Sequence, residues 1–215
     1  FETKANISME PITFEEFEWV LSKFKKNKAP GPSGVPIEAV KLLDRDSNNA
    51  LILLLNHCLR NKQVTLDMNQ ADLAVIFKKG ITDQPANYRP IALLNISYNI
   101  LASIIQKRIA QGLDERLDKA QYGFRTKRSS LQPLFIFRRT QEIHEESCQE
   151  FLTLLLDWEK AFDRVDQERL VIVLRRMGIP DDMVDLIENM YLAPTFAVRE
   201  GQARSTERPQ EAGIR

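Results

Sequence analysis

The sequence predicts an α+β fold, and three kinds of segment support this prediction. Residues 97–117 carry apolar side chains at helical spacing, as several other segments do. Residues 73–77 and 151–156 are short apolar runs with the length expected for strands. Segments rich in glycine and proline, such as residues 29–36, separate the predicted helices and strands.

The composition fits a globular protein with a hydrophobic core of its own. Hydrophobic residues make up 43% of the 215 residues, and 30 basic and 30 acidic residues leave a formal net charge of zero. A nucleic-acid partner must therefore be inferred from local clusters of cations. Cys58 and Cys148 lie far apart, which argues against a disulfide framework or a zinc site and favours a reducing compartment. No apolar run is long enough to span a bilayer.

The sequence of the N-terminal 60 residues predicts three helices and one proline-rich loop. Thr13 and Glu16 form a T-x-x-E capping box before an amphipathic helix that reaches about residue 26. The lysines near the end of this helix either interact with the helix dipole or form a phosphate-binding patch. Residues 29–36 form the loop, and helices are predicted for residues 37–43 and 50–60, the second of them buried.

Cations follow or interrupt the next two extended segments. The predicted strand over residues 73–77 ends at Lys78 and Lys79, which are either solvated or placed to bind phosphates. Arg89 precedes Pro90, so its backbone is expected to be extended. A guanidinium held on such a rigid segment suits bidentate phosphate contact.

The remaining helices and strands follow from periodicity and from glycine or proline stops. Lys107 and Arg108 are expected to lie off the apolar stripe of the helix over residues 97–117. Residues 121–130 read as a loop in which Arg125 and two further cations stand beside aromatic residues, a modest nucleic-acid signal. Further helices are predicted for residues 130–146, 167–177 and 181–190, and a hairpin for the strand over residues 195–199 and a partner after Gly201.

Residues 151–166, FLTLLLDWEKAFDRVD, are the centre of the functional argument. The apolar run over residues 151–156 fits a buried strand, with a helix as the alternative that periodicity leaves open. The run stops at Asp157, which a strand would place at its C-terminal end, where open sheets carry their chemistry. A carboxylate in that position can bind a divalent metal. The alternative is that Asp157 only ends the strand and that Asp163 or Asp166 caps the next helix.

Six motifs then occur in a fixed order along the chain. They are KNKAPGPSGVP (26–36), AVIFKKG (74–80), NYRPIALLN (87–95), QYGFRTKRS (121–129), LLLDWEKAFDRVD (154–166) and the terminal GIR. In this order they resemble the reverse transcriptase domain of non-LTR (LINE-type) retrotransposons, with the reverse transcriptases of group II introns as more distant relatives.

The resemblance implies a right-hand polymerase fold, with a fingers region over residues 1–150 and the N-terminal part of the palm over residues 151–215. The implied activity is that of an RNA-directed DNA polymerase, which transfers nucleotides to a primer 3′-hydroxyl with two metal ions. The expected partners are an RNA template, a DNA primer and deoxynucleoside triphosphates. The expected cofactor is Mg²⁺, with Mn²⁺ as the alternative, and the expected location is the nucleus, with the cytoplasm as the alternative.

The resemblance also assigns roles around the central motif. Asp157 matches the first metal-binding aspartate of the palm, and the backbone carbonyl of Trp158 would complete part of the same metal shell. Phe162 matches the aromatic residue that excludes a 2′-hydroxyl and so selects deoxynucleotides. Asp163 matches an aspartate with a structural role at the start of the next helix.

The fingers motifs supply the residues expected to bind the nucleotide. Lys78 and Arg89 match the lysine and arginine that hold the incoming triphosphate. Because Phe77 stands where the family has a proline, Lys79 is kept as an alternative to Lys78. Arg125 would line the fingers near the template and the nucleotide.

Two motifs that follow in the family do not occur in these 215 residues: a QGxPLSP-type stretch and a Y-x-D-D hairpin. We therefore expect a right-hand fold truncated before the second aspartate motif, and no activity from the 215 residues alone, because one carboxylate cannot hold two metal ions. The alternative is a non-catalytic retroelement remnant with at most nucleic-acid binding. The loop over residues 29–34 and the NYRPIALLN motif favour the LINE type over a splicing role like that of intron maturases.

Overall fold

The computed structural model describes residues 4–201 and 203–214. It has mixed α and β structure, as predicted. The helices are α1 (Phe14–Lys23), α2 (Ile37–Lys41), α3 (Arg45–Asn61), α4 (Ile96–Leu113), α5 (Leu131–Glu146), α6 (Gln167–Arg176) and α7 (Asp181–Met190). The strands are β1 (Gln70–Phe77), β2 (Tyr88–Leu94), β3 (Thr195–Glu200), β4 (Ala203–Arg204) and β5 (Arg208–Pro209).

The strands form one mixed sheet in the order β2-β1-β3-β4, and β5 also pairs with β3. β1 and β2 form an antiparallel hairpin whose last pair is Phe77 and Tyr88. β1 and β3 are parallel and begin at the pair Gln70 and Thr195. The sheet therefore joins strands from both sides of the predicted boundary at residue 150, and the division into fingers and palm stays a prediction.

The hydrophobic core lies where α1, α3 and α4 pack on one another and on the start of the sheet. Its largest fully buried side chains include Phe17 of α1, Leu55 of α3 and Ile100 of α4. The apolar stripe predicted for residues 97–117 is confirmed in α4, since its members at positions 100, 101, 104, 105 and 113 are buried. This helical layer fixes β1 and β2, which carry the predicted triphosphate ligands.

The capping box at the start of α1 is only half formed. The Thr13 hydroxyl accepts a hydrogen bond from the Glu16 amide at 3.2 Å, as predicted. The Glu16 carboxylate instead accepts hydrogen bonds from Nε and Nη2 of Arg108, and Nη1 of Arg108 donates to the carbonyls of Ser8 and Glu10. Arg108 is buried, although it was expected to lie off the apolar stripe of α4. These hydrogen bonds satisfy its charge inside the protein.

The strand predicted for residues 151–156 is wrong. This segment contains no regular secondary structure, and its leucines are exposed, from 80% at Leu154 to 91% at Leu152. A strand needs a neighbour that accepts and donates its backbone hydrogen bonds, and none of the strands described above pairs with this segment. The preceding helix α5 likewise buries no residue.

The other predicted elements are confirmed, although α1 ends at Lys23 and α4 at Leu113, each three or four residues earlier than predicted, and one helix differs in burial. The predicted buried helix over residues 50–60 belongs to α3, but only one face is buried: Leu55 is fully buried, whereas Leu53 is 70% exposed. Asp166 caps α6 by accepting a hydrogen bond from the amide of Arg169 at 3.0 Å. None of the helices within the described ranges combines the length and hydropathy needed to cross a membrane.

Candidate functional site

The tip of the β1–β2 hairpin presents Lys78 and Arg89 on one face. Arg89 lies directly opposite Ile76 in the antiparallel register, so their side chains share a face of the sheet. The Lys78 amide donates to the Asn87 carbonyl at 2.8 Å, which extends the ladder by one residue beyond β1. Because side chains alternate along a strand, Lys78 lies on the same face as Ile76 and therefore as Arg89. Both cations are exposed.

The loop that joins the two strands is held by side chains of its own. Nδ2 of Asn87 donates to the Ile81 carbonyl at 2.8 Å, and the Tyr88 hydroxyl donates to the Thr82 carbonyl at 3.0 Å. Gly80 adopts a φ of 98°, and a Cβ there would lie 2.6 Å from Nδ2 of Asn87. The glycine of the AVIFKKG motif thus permits a left-handed turn and a close contact that hold the hairpin tip in one shape.

Asp157 lies at the end of the unpaired segment over residues 151–156 and is exposed, as is the neighbouring Trp158, whose side chain is 83% exposed. Mg²⁺ is normally bound by about six oxygen ligands in an octahedral arrangement. Within the described residues, no three His, Cys, Asp or Glu side chains come together as a metal site. Asp157 and the Trp158 carbonyl can supply two oxygen ligands, so these residues alone do not build a metal centre.

Phe162 contacts the loop that carries Arg125. The rings of Phe162 and Phe124 meet edge to face, with centroids 6.4 Å apart and an interplanar angle of 87°. Phe124 has a φ of 61°, an unusual conformation for a large side chain, and its ring is 94% exposed. The contact brings the QYGFRTKRS and LLLDWEKAFDRVD motifs together.

The GIR motif lies on the turn that follows Phe162. The amide of Gly213 donates to the Val165 carbonyl at 2.9 Å, and the amide of Ile214 donates to the Phe162 carbonyl at 3.1 Å. Gly213 has a φ of 83°, and a Cβ there would lie 3.1 Å from the carbonyl oxygen of Asp163. The glycine therefore allows the backbone of this motif to approach the turn closely.

Arg125 is held inside the protein by its hydrogen bonds. Nε and Nη2 donate to the Asp114 carboxylate at 3.0 and 3.2 Å, and Nη2 also donates to the Asp114 carbonyl at 2.8 Å. Nη1 donates to the carbonyls of Asp118 and Gln121 at 2.9 and 3.3 Å. All the N–H donors of the guanidinium are thereby used within the loop and the end of α4. The pairing lowers the pKa of Asp114 and raises that of Arg125.

Asp72 is a buried charge that the motifs did not single out. It lies inside β1, and its side chain is 3% exposed. Its carboxylate accepts a hydrogen bond from Nε of Arg204 at 2.9 Å and lies 3.7 Å from Arg199, so it ties the β3–β4 hairpin to β1. The sequence did offer a signal, because Asp72 is a single carboxylate within the apolar stretch that becomes β1. Buried carboxylates are normally paired, so this position indicates a cationic partner.

The structure thus assembles the predicted residues in two groups. Lys78 and Arg89 share the hairpin tip, with Lys79 exposed in the turn beside them. Phe162 is joined to the Arg125 loop and to the GIR motif. Asp157 lies five residues before Phe162, and no hydrogen bond or ion pair within residues 4–201 and 203–214 links its side chain to the hairpin tip. The role of each predicted site residue stays a prediction.

Comparison with known proteins supplies the family. Residues 76–215 match the family model described as "Reverse transcriptase (RNA-dependent DNA polymerase)". The chain is 28% identical to the RNA-directed DNA polymerase from mobile element jockey of Drosophila funebris and 30% identical to the probable RNA-directed DNA polymerase from transposon X-element of Drosophila melanogaster. Each alignment covers 95% of this chain and 23% of the relative.

A third relative comes from another element. The chain is 25% identical to the retrovirus-related Pol polyprotein from type-1 retrotransposable element R2 of Popillia japonica, across 92% of this chain and 27% of that protein. The chain therefore spans about a quarter of the length of each of these three relatives.

Proposed function

The chain belongs to the reverse transcriptase (RNA-dependent DNA polymerase) family, and from this membership we propose that it forms part of the RNA-directed DNA polymerase of a non-LTR retrotransposon. The substrates would be an RNA template, a DNA primer and deoxynucleoside triphosphates. The reaction would be nucleotidyl transfer to the primer 3′-hydroxyl. The relatives named above support this proposal, because two of them are described as RNA-directed DNA polymerases of mobile elements.

The observation that carries the proposal is the meeting of three family motifs around Phe162. Phe124 contacts its ring, and Ile214 donates a hydrogen bond to its carbonyl. These residues are distant in sequence, and all lie within the matched residues 76–215. The Phe124 contact orients the ring, and the Ile214 hydrogen bond holds the backbone that carries it. An aromatic ring in a set position suits the proposed task of contacting the sugar of the incoming nucleotide, because it can exclude a 2′-hydroxyl sterically.

The triphosphate is proposed to bind at the tip of the β1–β2 hairpin. Lys78 and Arg89 are exposed on one face, and no ion pair among the described residues uses either cation. Arginine can bind a phosphate with two parallel hydrogen bonds, and lysine adds a mobile point charge. The shared face favours Lys78 over Lys79 as the partner of Arg89.

The metal site is proposed to include Asp157 as one carboxylate ligand, with the Trp158 carbonyl beside it. Mg²⁺, or Mn²⁺ in its place, would supply Lewis-acid activation of the reacting oxygens in a two-metal mechanism. The further carboxylates would come from residues outside this set of 215, in a motif of the Y-x-D-D type. The exposure of Asp157 is compatible with ligands that approach from another part of the protein.

Primer extension by the full-length protein on an RNA template tests the proposal. We expect extension that needs the RNA template, deoxynucleotides and Mg²⁺, and that stops when the metal is chelated. Lys78→Gln should raise the KM for deoxynucleotides about tenfold or more, because a hydrogen bond to a charged group is lost, whereas Lys79→Gln should leave it unchanged. RNA binding without extension would contradict the proposal and would support the non-catalytic remnant instead.

A further inference from the structure

Two adjoining cavities lie on either side of Trp19, away from the hairpin tip and Asp157. The first, of about 510 Å³, lies between α1, the proline-rich loop and α4. The second, of about 460 Å³, lies between α4 and the loop that carries Arg125. Trp19 and Gln106 line both cavities, so the two cavities adjoin, and we call them together the Trp19 groove.

The Trp19 groove is strongly cationic although the chain has no net charge. Its lysines are Lys23, Lys25, Lys28, Lys107 and Lys127. No ion pair among the described residues uses these lysines. No carboxylate lines the first cavity, and Asp114, which lines the second, is bound to Arg125. Unpaired lysines along the Trp19 groove concentrate positive potential there and attract a polyanion.

An aromatic surface runs through the middle of these charges. Trp19 is 45% exposed, and the ammonium groups of Lys107 and Lys23 lie 4.1 and 5.1 Å from its ring centroid. A nucleobase stacks on an aromatic ring more strongly than an exposed ammonium group interacts with it. A base that reached Trp19 would therefore displace the lysines, which would then be free to contact phosphates.

The first cavity has the size and lining of a ligand site. Its volume lies within the range of roughly 300–1,000 Å³ found for small-molecule clefts. Val35 and Ile96 contribute apolar surface, whereas Ser103 and Gln106 of α4 contribute polar groups that can meet the edge of a base.

The wall of the first cavity is preformed by the proline-rich loop. A Cβ on Gly31 would lie 2.3 Å from the carbonyl carbon of Leu94, so the loop backbone packs directly on the end of β2. The amide of Ser33 donates to Oδ1 of Asn95 at 2.8 Å, and the amide of Gly34 donates to the Gly31 carbonyl at 2.9 Å. A preformed wall reduces the conformational entropy that the protein loses when a ligand binds.

We propose that the Trp19 groove binds a single strand of nucleic acid, with one unpaired base in the first cavity against Trp19 and the flanking phosphates on Lys23, Lys28 and Lys107. A single strand is required because a base inside a duplex is stacked and cannot enter a cavity without leaving the helix. The first cavity contains none of the proposed site residues, whereas Arg125, which is expected near the template, lines the second cavity. The binding proposal does not depend on whether the protein polymerises nucleotides.

Tryptophan fluorescence tests the stacking contact. Trp19 and Trp158 are the only tryptophans, so a Trp158→Phe variant of the chain leaves Trp19 as the sole reporter. A 12-nucleotide oligouridine RNA, or the corresponding oligothymidine DNA, should quench this fluorescence with saturation. The duplex formed with the complementary strand should quench it much less. No quenching by either single strand at 50 mM salt, or equal quenching by the duplex, would overturn the proposal.

Charge removal tests the phosphate contacts with a matched control. In the Trp158→Phe background, Lys23→Gln with Lys28→Gln should reduce the slope of log K against log salt by about 1.4, or about 0.7 for each phosphate contact. Arg60→Gln with Arg208→Gln removes the same charge from exposed positions outside the groove and should leave the slope unchanged. An equal change in both double variants would mean that binding follows overall charge alone, and the proposal would fail.

A cross-link tests the same contact in the full-length protein. RNA that contains 4-thiouridine should cross-link on irradiation to the peptide that carries Trp19. Cross-links confined to other peptides would contradict the proposal. All three experiments measure binding, so their failure is distinguishable from a failure of the proposed polymerase activity.

Discussion

The rings of Phe124 and Phe162 meet edge to face, with their centroids 6.4 Å apart. Phe124 belongs to the loop that Arg125 holds against α4, and Phe162 follows Asp157 in the central motif. The contact therefore links the position of the proposed sugar-contacting ring to a loop that is itself held by the hydrogen bonds of Arg125. Phe124 should influence how the Phe162 ring is oriented, whereas the exclusion of a 2′-hydroxyl should depend on the Phe162 ring itself.

This separation predicts different effects of two alanine variants on sugar selection. Phe162→Ala should raise the use of ribonucleotides relative to deoxynucleotides by about tenfold or more, because the ring that excludes the 2′-hydroxyl is lost. Phe124→Ala removes the same ring contact and should change this ratio much less. Competitive primer extension by the full-length protein measures both ratios. If both variants changed the ratio of ribonucleotide to deoxynucleotide use equally, sugar selection would depend on the contact between the two rings and not on Phe162 itself.

The pairing of Asp114 with Arg125 predicts a pH-dependent contribution to stability. Arg125 lowers the pKa of Asp114 in the folded protein. The stabilisation is therefore complete above the unfolded value, about 3.9 for aspartate, and is lost as the pH falls through the lower folded value. Asp114→Asn should reduce the free energy of unfolding at pH 6, and the difference from the wild type should shrink below about pH 4.

Denaturant unfolding of both proteins from pH 6 to pH 3 measures this difference. Glu115→Gln is a suitable control, because it removes a neighbouring carboxylate that no described ion pair uses. A difference between Asp114→Asn and the wild type that stayed constant down to pH 3 would contradict the proposed linkage.

Gly31 and Gly34 lie in the same loop but should tolerate alanine differently. A Cβ on Gly31 would lie 2.3 Å from backbone atoms of Leu94, whereas a Cβ on Gly34 meets nothing within 4 Å. Gly34 has a φ of 71°, so Gly34→Ala should cost only about 1–2 kcal/mol for the left-handed conformation. Gly31→Ala should cost more, about 3 kcal/mol, because the backbone of β2 must move. Thermal unfolding that gave equal losses would contradict the packing of this loop on β2.

Because the leucines before Asp157 are exposed, replacing them should change the apolar surface of the protein without lowering its stability. Leu154 and Leu156 are 80% and 81% exposed, whereas Leu55 is fully buried. Leu154→Ser with Leu156→Ser should reduce dye binding to exposed apolar surface and leave the unfolding temperature nearly unchanged. Leu55→Ala should cost about 2–5 kcal/mol of stability. A large loss of stability in the double serine variant would show that the segment is buried in solution.

Local pattern sufficed for most helices and for the extended segments that become β1 and β2, but it did not predict that these two strands pair. The apolar stripe of α4, the Thr13 cap of α1 and the Asp166 cap of α6 are all set by residues within one or two turns. The extended backbone at Arg89 likewise follows from its neighbour Pro90. Such features depend on nearby residues, which a single sequence displays directly.

Features that depend on distant partners were missed or predicted wrongly. Residues 151–156 have the composition of a strand but no neighbouring strand to pair with, and composition cannot show this. Arg108 is buried because Glu16, far away in the chain, accepts two of its hydrogen bonds. The parallel pairing of β1 with β3 joins segments that are more than a hundred residues apart, and no periodicity specifies it.

Primer extension on an RNA template by Asp157→Asn and Asp163→Asn variants of the full-length protein tests the central proposal most directly. The two variants make the same chemical change at exposed aspartates in one motif. We predict that Asp157→Asn lowers the rate by about 100-fold or more, because a carboxylate ligand of the proposed metal site is lost, and that Asp163→Asn retains most of the activity. An Asp157→Asn variant that extended the primer at the rate of the wild type would contradict the assignment of Asp157 to the metal site.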